Sequence, residues 1–318
     1  MPSIDMPLEQ LRQYIPSLNR ASDFETYWRS TINEALAQPL NAELIPYCLP
    51  GKGVECYAVR FDGFRGGRLA GWFARPSTPP DGGKSPGVCL YHGYSGRGPR
   101  PLDFLHLVHA GFCVLSLDCR GQNGQSQNAA VFAEGHTMGW MTQGIRDPEH
   151  YYYRHVYADA VRALELLARR EEVDGSRLAI SGASQGGGIT LAVAALSDRP
   201  KLAMPDIPFL CNFARAIEIT PAGPYPEIPT FLKAHPALHE TVMRTLSYCD
   251  CLNLAPWIKC RTLISNCLCD DVCPPSTIFA VYNHLSAEKQ MEIYPYHKHE
   301  VPYEHQELKY RVLIQAML

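Results

Sequence analysis

The segment Gly182-Ala-Ser-Gln-Gly186 sets a serine between two glycines, each two places away. It follows the apolar stretch Arg177–Ser181 and leads into a helical run, Gln185–Leu196. In strand–turn–helix context this spacing makes a nucleophile turn. The strand and helix backbones pass so close that Gly182 and Gly186 are needed for their lack of bulk, and the Ser184 Oγ stands clear of the sheet. A phosphate-binding helix start is the alternative, but no Lys-Ser/Thr pair follows. A serine hydroxyl becomes a nucleophile only beside a base, and that base needs an orienting acid. In hydrolases built on such a turn the chain order is serine, acid, histidine, each after a strand. Here Thr262–Leu268 runs into Cys269-Asp-Asp271, and Met291–Tyr294 is followed by Tyr296-His-Lys-His-Glu300. These loops leave Asp270 or Asp271 as the acid and His297 or His299 as the base. Acyl transfer also needs donors for an oxyanion. Those expected are the backbone N–H of Gln185, directly after the serine, and that of Tyr94, in the strand-ending loop Tyr91-His-Gly-Tyr94.

The elements that must hold these groups can be read from periodicity. Ser22-x-x-Glu25 has the form of a capping box, with Phe24, Tyr27, Trp28, Ile32, Ala35 and Leu36 at helical spacing behind it. Val54–Arg60 and Leu69–Arg75 read as a hairpin around Arg65-Gly-Gly-Arg68, and Pro76–Pro86 as an exposed loop. Strands and helices then alternate: strand Gly87–Tyr91, helix Leu102–Ala110, strand Phe112–Asp118, helix Tyr151–Arg170 and the strand that ends at Ser181. After the helix behind Ser184 come strands Ile207–Cys211 and Thr262–Leu268, helix Ser276–Leu285, strand Met291–Tyr294 and helix Gln306–Met317. Such alternation predicts a mostly parallel central sheet with helices on both faces, the α/β-hydrolase arrangement. Cys119–Tyr151 and Asn212–Pro256 are too long for ordinary connections and are expected to be insertions over the active-site end, the second made of short helices and turns. The expected organisation is a single domain over 1–318, with a helix and hairpin extension at 1–80 and a helical insertion at 212–256.

Composition narrows the class. The 318 residues are 46% hydrophobic and 19% charged, with a formal net charge of −3. That is ordinary globular composition, and the scattered Lys and Arg leave no footprint for nucleic acid or an anionic membrane. No apolar run reaches the roughly 18 residues of a membrane span. Met1–Pro7 has neither a basic nor an apolar signal region, which makes the cytoplasm the expected compartment. Six of the twelve cysteines lie between Cys249 and Cys273, but their spacings are not zinc knuckles. Reduced, mostly buried thiols are expected, and no metal.

Several segments together carry a family resemblance. Gly182-Ala-Ser-Gln-Gly-Gly-Gly188, Asp118-Cys-Arg-Gly-Gln122, His92-Gly-Tyr94 and His299-Glu300 are similar to carbohydrate esterase family seven, the acetyl xylan esterases and cephalosporin-C deacetylases. Gly135-His-Thr-Met-Gly-Trp-Met-Thr-Gln-Gly-Ile145, Tyr151-Tyr-Tyr-Arg154 and Cys273-Pro-Pro-Ser-Thr277 agree with it, so the likeness runs from about Trp28 to His299. The resemblance implies Ser184, Asp270 and His299 as the triad, with no cofactor, and small acetylated carbohydrates and related esters such as cephalosporin C as substrates. It implies a hexamer as well. Arg120-Gly121-Gln122 stands in it as a structural signature, with Arg120 expected to pair a buried carboxylate. The chain departs from the family pattern in its cysteines (Cys119, Cys267, Cys269) and in Val301-Pro-Tyr303. Two rival readings are a peptidase on the same fold, which would need a gating domain, and a silent scaffold, which would have lost a triad member.

Overall fold

A computed structural model describes residues 4–79, 83–132 and 135–318. Residues 80–82 of the loop expected to be exposed, and Met1–Ser3 of the segment read for a signal, lie outside the described residues. Among the described residues, nine strands form one sheet: β1 (Glu43–Tyr47), β2 (Val54–Asp62), β3 (Arg68–Pro76), β4 (Ser85–Tyr91), β5 (Cys113–Leu117), β6 (Val173–Ala183), β7 (Pro200–Asp206), β8 (Arg261–Cys267) and β9 (Lys289–Tyr294). Their order across the sheet is β1-β2-β3-β5-β4-β6-β7-β8-β9. The first three strands and the β3–β5 junction are antiparallel, and β5 through β9 run parallel. This mixed sheet, clad by helices on both faces, is the α/β-hydrolase arrangement.

Alternation along each central strand fills two cores. On one face Cys89, Tyr91, Leu115, Leu117, Leu178, Ile180 and Ala203 pack against α2 (Phe24–Ala37), α4 (Tyr152–Ala168), α5 (Gln185–Leu196) and α10 (Pro275–His284). On the other, Val88, Val114, Ala179, Leu202 and Met204 meet α3 (Pro101–His109) and α11 (Tyr303–Met317). A sheet covered on both faces explains why its strands read as continuous apolar runs.

Three expectations need correction. The strand expected at Ile207–Cys211 is irregular, and the paired strand is β7, one step earlier in the chain. Pro200 and Pro205 made Pro200–Asp206 look unlike a strand, whereas positive φ at Ile207, Leu210 and Asn212 bends the segment after it. The capping box at Ser22 does not form: Asp23 is the N-cap of α2, and no side chain caps it. Edge strand β1 was not expected, because its mostly exposed residues include Pro46 and lack an apolar alternation. Of the two long intervals, Cys119–Tyr151 holds turns without helix or strand among its described residues. The second carries α6 (Phe213–Ile219), α7 (Glu227–Ala234), α8 (His239–Cys249) and the single-turn α9 (Cys251–Leu254). With α1 (Leu8–Leu11) near the start, these complete the described α-helices.

Candidate active site

Strand β6 ends at Ala183 and α5 begins at Gln185, so Ser184 alone makes the turn, at φ 56° and ψ −119°. A non-glycine residue held there stores about 1–3 kcal/mol of backbone strain. The surroundings hold it in place. Its N–H donates to the Asp206 carbonyl at 3.0 Å, and its own carbonyl accepts from Gly188 and Phe209. A Cβ on Gly186 would sit 2.2 Å from the Tyr91 carbonyl oxygen, and one on Gly182 would sit 2.6 Å from it. The β4, β6 and α5 backbones therefore converge as closely as the sequence pattern demands.

The C-terminal ends of β6, β8 and β9 bring three side chains together. The Ser184 hydroxyl lies 2.9 Å from His299 Nε2, and His299 Nδ1 lies 2.8 Å from Asp270 Oδ2. Asp270 is fully buried, and its other oxygen accepts the N–H groups of Val272 (2.9 Å) and Cys273 (2.8 Å). Those bonds aim the carboxylate at the imidazole, so Nδ1 carries the proton and Nε2 is free to accept the serine's. Of the alternatives left open by sequence, the bonds run through Asp270 and His299, and His297 packs edge-on against Tyr294 at 5.6 Å.

Above the serine, Gly93 comes within 4 Å of the Ser184 Cβ at its own Cβ position. This places the loop after β4 over the nucleophile. Buried His92 fixes that loop: its Nε2 accepts from the Cys119 N–H at 2.9 Å, so its Nδ1 carries the proton and donates to the Gly93 carbonyl at 2.7 Å. Burial lowers the His92 pKa and keeps the ring neutral. Gln185, the first residue of α5, has an N–H without an intrahelical acceptor. A cleft of about 400 Å³ opens beside these groups, lined by Tyr94, Ser184, Gly223, Glu227, Val272 and His299 among others.

The geometry is that of a relay poised for acyl transfer in a small cleft, and the chain's relatives agree with it. A family model described as acetyl xylan esterase (AXE1) matches residues 1–316. The chain belongs to the acetyl xylan esterase family. Within that family, it is 43% identical to an acetyl xylan esterase from Paenibacillus sp. R4, with a TM-score of 0.94 over 98% of this chain and 100% of that one. It is 33% identical to acetyl xylan esterase 1 from Thermoanaerobacterium sp. JW/SL YS485, with a TM-score of 0.94 over 99% and 100% of the two chains. It is also 27% identical over 292 residues, 89% of its length, to the acetyl esterase Axe7A of Xylanibacter ruminicola. It spans 64% of that relative's length.

This acetyl xylan esterase family member has support around the nucleophile that its sequence did not disclose. Gln122 Nε2 donates to the Gln185 side-chain oxygen at 2.8 Å, and the Tyr153 hydroxyl donates to the same oxygen at 3.0 Å. Gln185 Nε2 returns a bond to Gln122 Oε1 at 3.2 Å. The residue after the serine is thus locked by a reciprocal amide pair with the third member of Arg120-Gly121-Gln122. Arg120 itself grips buried Asp159 with two bonds of 2.6 and 2.8 Å and the Phe64 carbonyl at 2.8 Å. It thereby ties the β2–β3 turn to α4. Burial, then the Arg120 charge, pushes the neighbouring His155 down to about 3, so that ring stays neutral beside the guanidinium. Gly121 offers its carbonyl to the Trp140 indole N–H at 3.0 Å.

Asp270, Cys273 and His299 have ligand atoms within 4.8 Å of one another, the one described group of this kind. Asp270 and His299 are hydrogen-bonded directly to each other, and burial pushes the Cys273 thiol well above its usual range. A protonated thiol and a closed carboxylate–imidazole bond suit proton transfer better than ion binding. All twelve cysteines are free thiols, and Cys48 alone is exposed.

Proposed function

We propose that this chain is a serine esterase that removes acetyl groups from acetylated sugars such as xylo-oligosaccharides, and from related small esters such as cephalosporin C. The reading rests above all on the continuous Ser184–His299–Asp270 hydrogen-bond chain at the floor of the cleft. Membership of the acetyl xylan esterase family supports the substrate class. The size of the cleft supports a small acyl group: Gly223 packs so tightly on Val272 that a Cβ there would lie 2.6 Å from it.

In the first step His299 Nε2 takes the hydroxyl proton as Ser184 Oγ attacks the acetyl carbonyl. The N–H groups of Gln185 and Tyr94 receive the oxyanion, and Asp270 stabilises the imidazolium. His299 then protonates the departing sugar oxygen. In the second step water, deprotonated by the same histidine, attacks the acetyl-enzyme and releases acetate. These steps use no metal or organic cofactor. A hexamer acting in the cytoplasm is the accompanying expectation.

The test compares initial rates on p-nitrophenyl acetate, butyrate and octanoate, acetylated xylo-oligosaccharides and cephalosporin C, with Ser184→Ala as control. The expected result is a steep fall beyond acetate, acetate release from both natural esters, and a loss of about 10⁶ in kcat in the variant. Equal rates on octanoate would replace the reading with a general carboxylesterase. Turnover that does not depend on Ser184 would remove it.

A further inference from the structure

Tyr94 follows Gly93 in the loop that lies over Ser184, a loop without regular structure. Glycine restrains the backbone little, so the 93–94 peptide depends on its contacts for a fixed orientation. The Gly93 carbonyl of that peptide accepts from His92 Nδ1 at 2.7 Å and from the Gly96 N–H at 3.0 Å, and the Tyr94 ring anchors the side that carries the N–H. Its hydroxyl donates to Glu227 Oε1 at 2.6 Å and accepts from the Trp140 N–H at 2.6 Å. Glu227 Oε2 accepts from the Met141 N–H at 3.0 Å. The ring packs edge-on against Trp140 at 5.2 Å and Phe209 at 6.1 Å.

Glu227 opens α7 in the second long interval, whereas Trp140 and Met141 lie in the first. One carboxylate therefore joins both insertions to the loop over the nucleophile. The chain makes room for it: Gly139 has a φ of 103°, and a Cβ there would come within 2.2 Å of Glu227 Oε1. Burial raises the Glu227 pKa, while the bonds from Tyr94 and Met141 pull it back. Burial, then Glu227, raises that of Tyr94, which keeps the phenol protonated as the donor.

We propose that Glu227 is a positioning residue, whose carboxylate holds the Tyr94 ring and through it sets the 93–94 peptide so that the Tyr94 N–H meets the oxyanion. The inference rests on the reading of Tyr94 as an oxyanion donor given above. Glu227 itself takes no part in proton transfer. Its effect is carried by a bond that exists before substrate arrives, so it belongs to transition-state stabilisation and not to ground-state binding.

The experiment uses the full chain with p-nitrophenyl acetate and with phenylboronic acid, a probe whose adduct on Ser184 places an oxygen where the oxyanion forms. Glu227→Ala and Tyr94→Phe should each lower kcat by roughly 10- to 100-fold with KM within about threefold, and weaken boronate binding by a similar factor. The double variant should be no worse than the poorer single one, because both act through one contact. Glu227→Gln should recover most of kcat, since its amide oxygen can accept from Met141 while its NH2 group donates to the Tyr94 oxygen. A kcat and boronate affinity unchanged in both single variants would overturn the proposal. So would a loss confined to KM, or multiplicative losses in the double variant. If Glu227→Ala fails to fold, Tyr94→Phe and Glu227→Gln carry the same test. Failure of the esterase reading is separate: there the unmodified chain itself shows no Ser184-dependent turnover.

Discussion

Gln185 does two jobs at once. Its backbone N–H, at the start of α5, is the proposed oxyanion donor, and its buried side chain is held by Gln122 and Tyr153. Truncating Gln122 to alanine leaves part of that amide unpaired in the interior, which costs about 1–3 kcal/mol. The expected outcome for Gln122→Ala is a lower urea midpoint together with a several-fold fall in kcat on p-nitrophenyl acetate. Unchanged values of both would mean that the amide pair supports nothing. This contact was not legible in the sequence, because the two glutamines are 63 positions apart. The serine was legible, since its demand for small neighbours is local and is written in Gly182 and Gly186. The choices between Asp270 and Asp271 and between His297 and His299 depend on which way a loop side chain points, and sequence order does not encode that.

Between elements, the end of β7 is joined to α11 by a buried charge. Asp206 Oδ1 lies 2.8 Å from His305 Nε2, and Asp206 Oδ2 is paired with Lys309. His305 Nδ1 continues to the Tyr294 hydroxyl at 3.0 Å, next to the loop that carries His299. Burial pushes the Asp206 carboxyl up, but Lys309 and His305 outweigh it and hold its pKa below the usual carboxylate value. A carboxyl depressed in the folded state contributes stability above its unfolded pKa of about 3.9 and loses it as pH falls through the folded value. Urea unfolding of the parent chain from neutral pH down to about pH 3 should show that loss in the acid limb. Asp206→Asn should flatten the limb and lower stability at neutral pH by about 3–5 kcal/mol, because Lys309 then lacks its counter-charge. An identical acid limb in the variant would exclude this linkage. The same region is where the strand reading slipped. Prolines at both ends of β7 hid a parallel strand whose hydrogen bonds run mainly through the residues between them.

Across the whole molecule, the segment before α2 ties distant parts together. Buried Asp5 accepts from the Ser276 N–H at 2.7 Å and pairs Arg215 at 3.0 Å. Asn283 on α10 donates to the carbonyls of Leu11 and Tyr14, and Asn253 bonds to Asn19. Helix α10 begins a few residues after Asp270, so the strap braces the loop that carries the acid. Deleting residues 1–21 should lower Tm by several degrees and reduce kcat with little change in KM. Calorimetry and rates on p-nitrophenyl acetate check this, and an unchanged kcat would detach the strap from the site. Periodicity disclosed the alternating architecture because both sheet faces are covered. It did not disclose the strap, whose polar bonds reach residues more than two hundred positions away. The cysteines carry a last consequence. With nine of the twelve free sulfhydryls buried, Cys260 and Cys269 partly exposed and Cys48 exposed, the number that react with a small disulfide reagent becomes a gauge of intactness. Native protein should release one equivalent of chromophore quickly from Cys48 and at most two more slowly from Cys260 and Cys269, and any equivalent beyond three should mark material whose interior has opened.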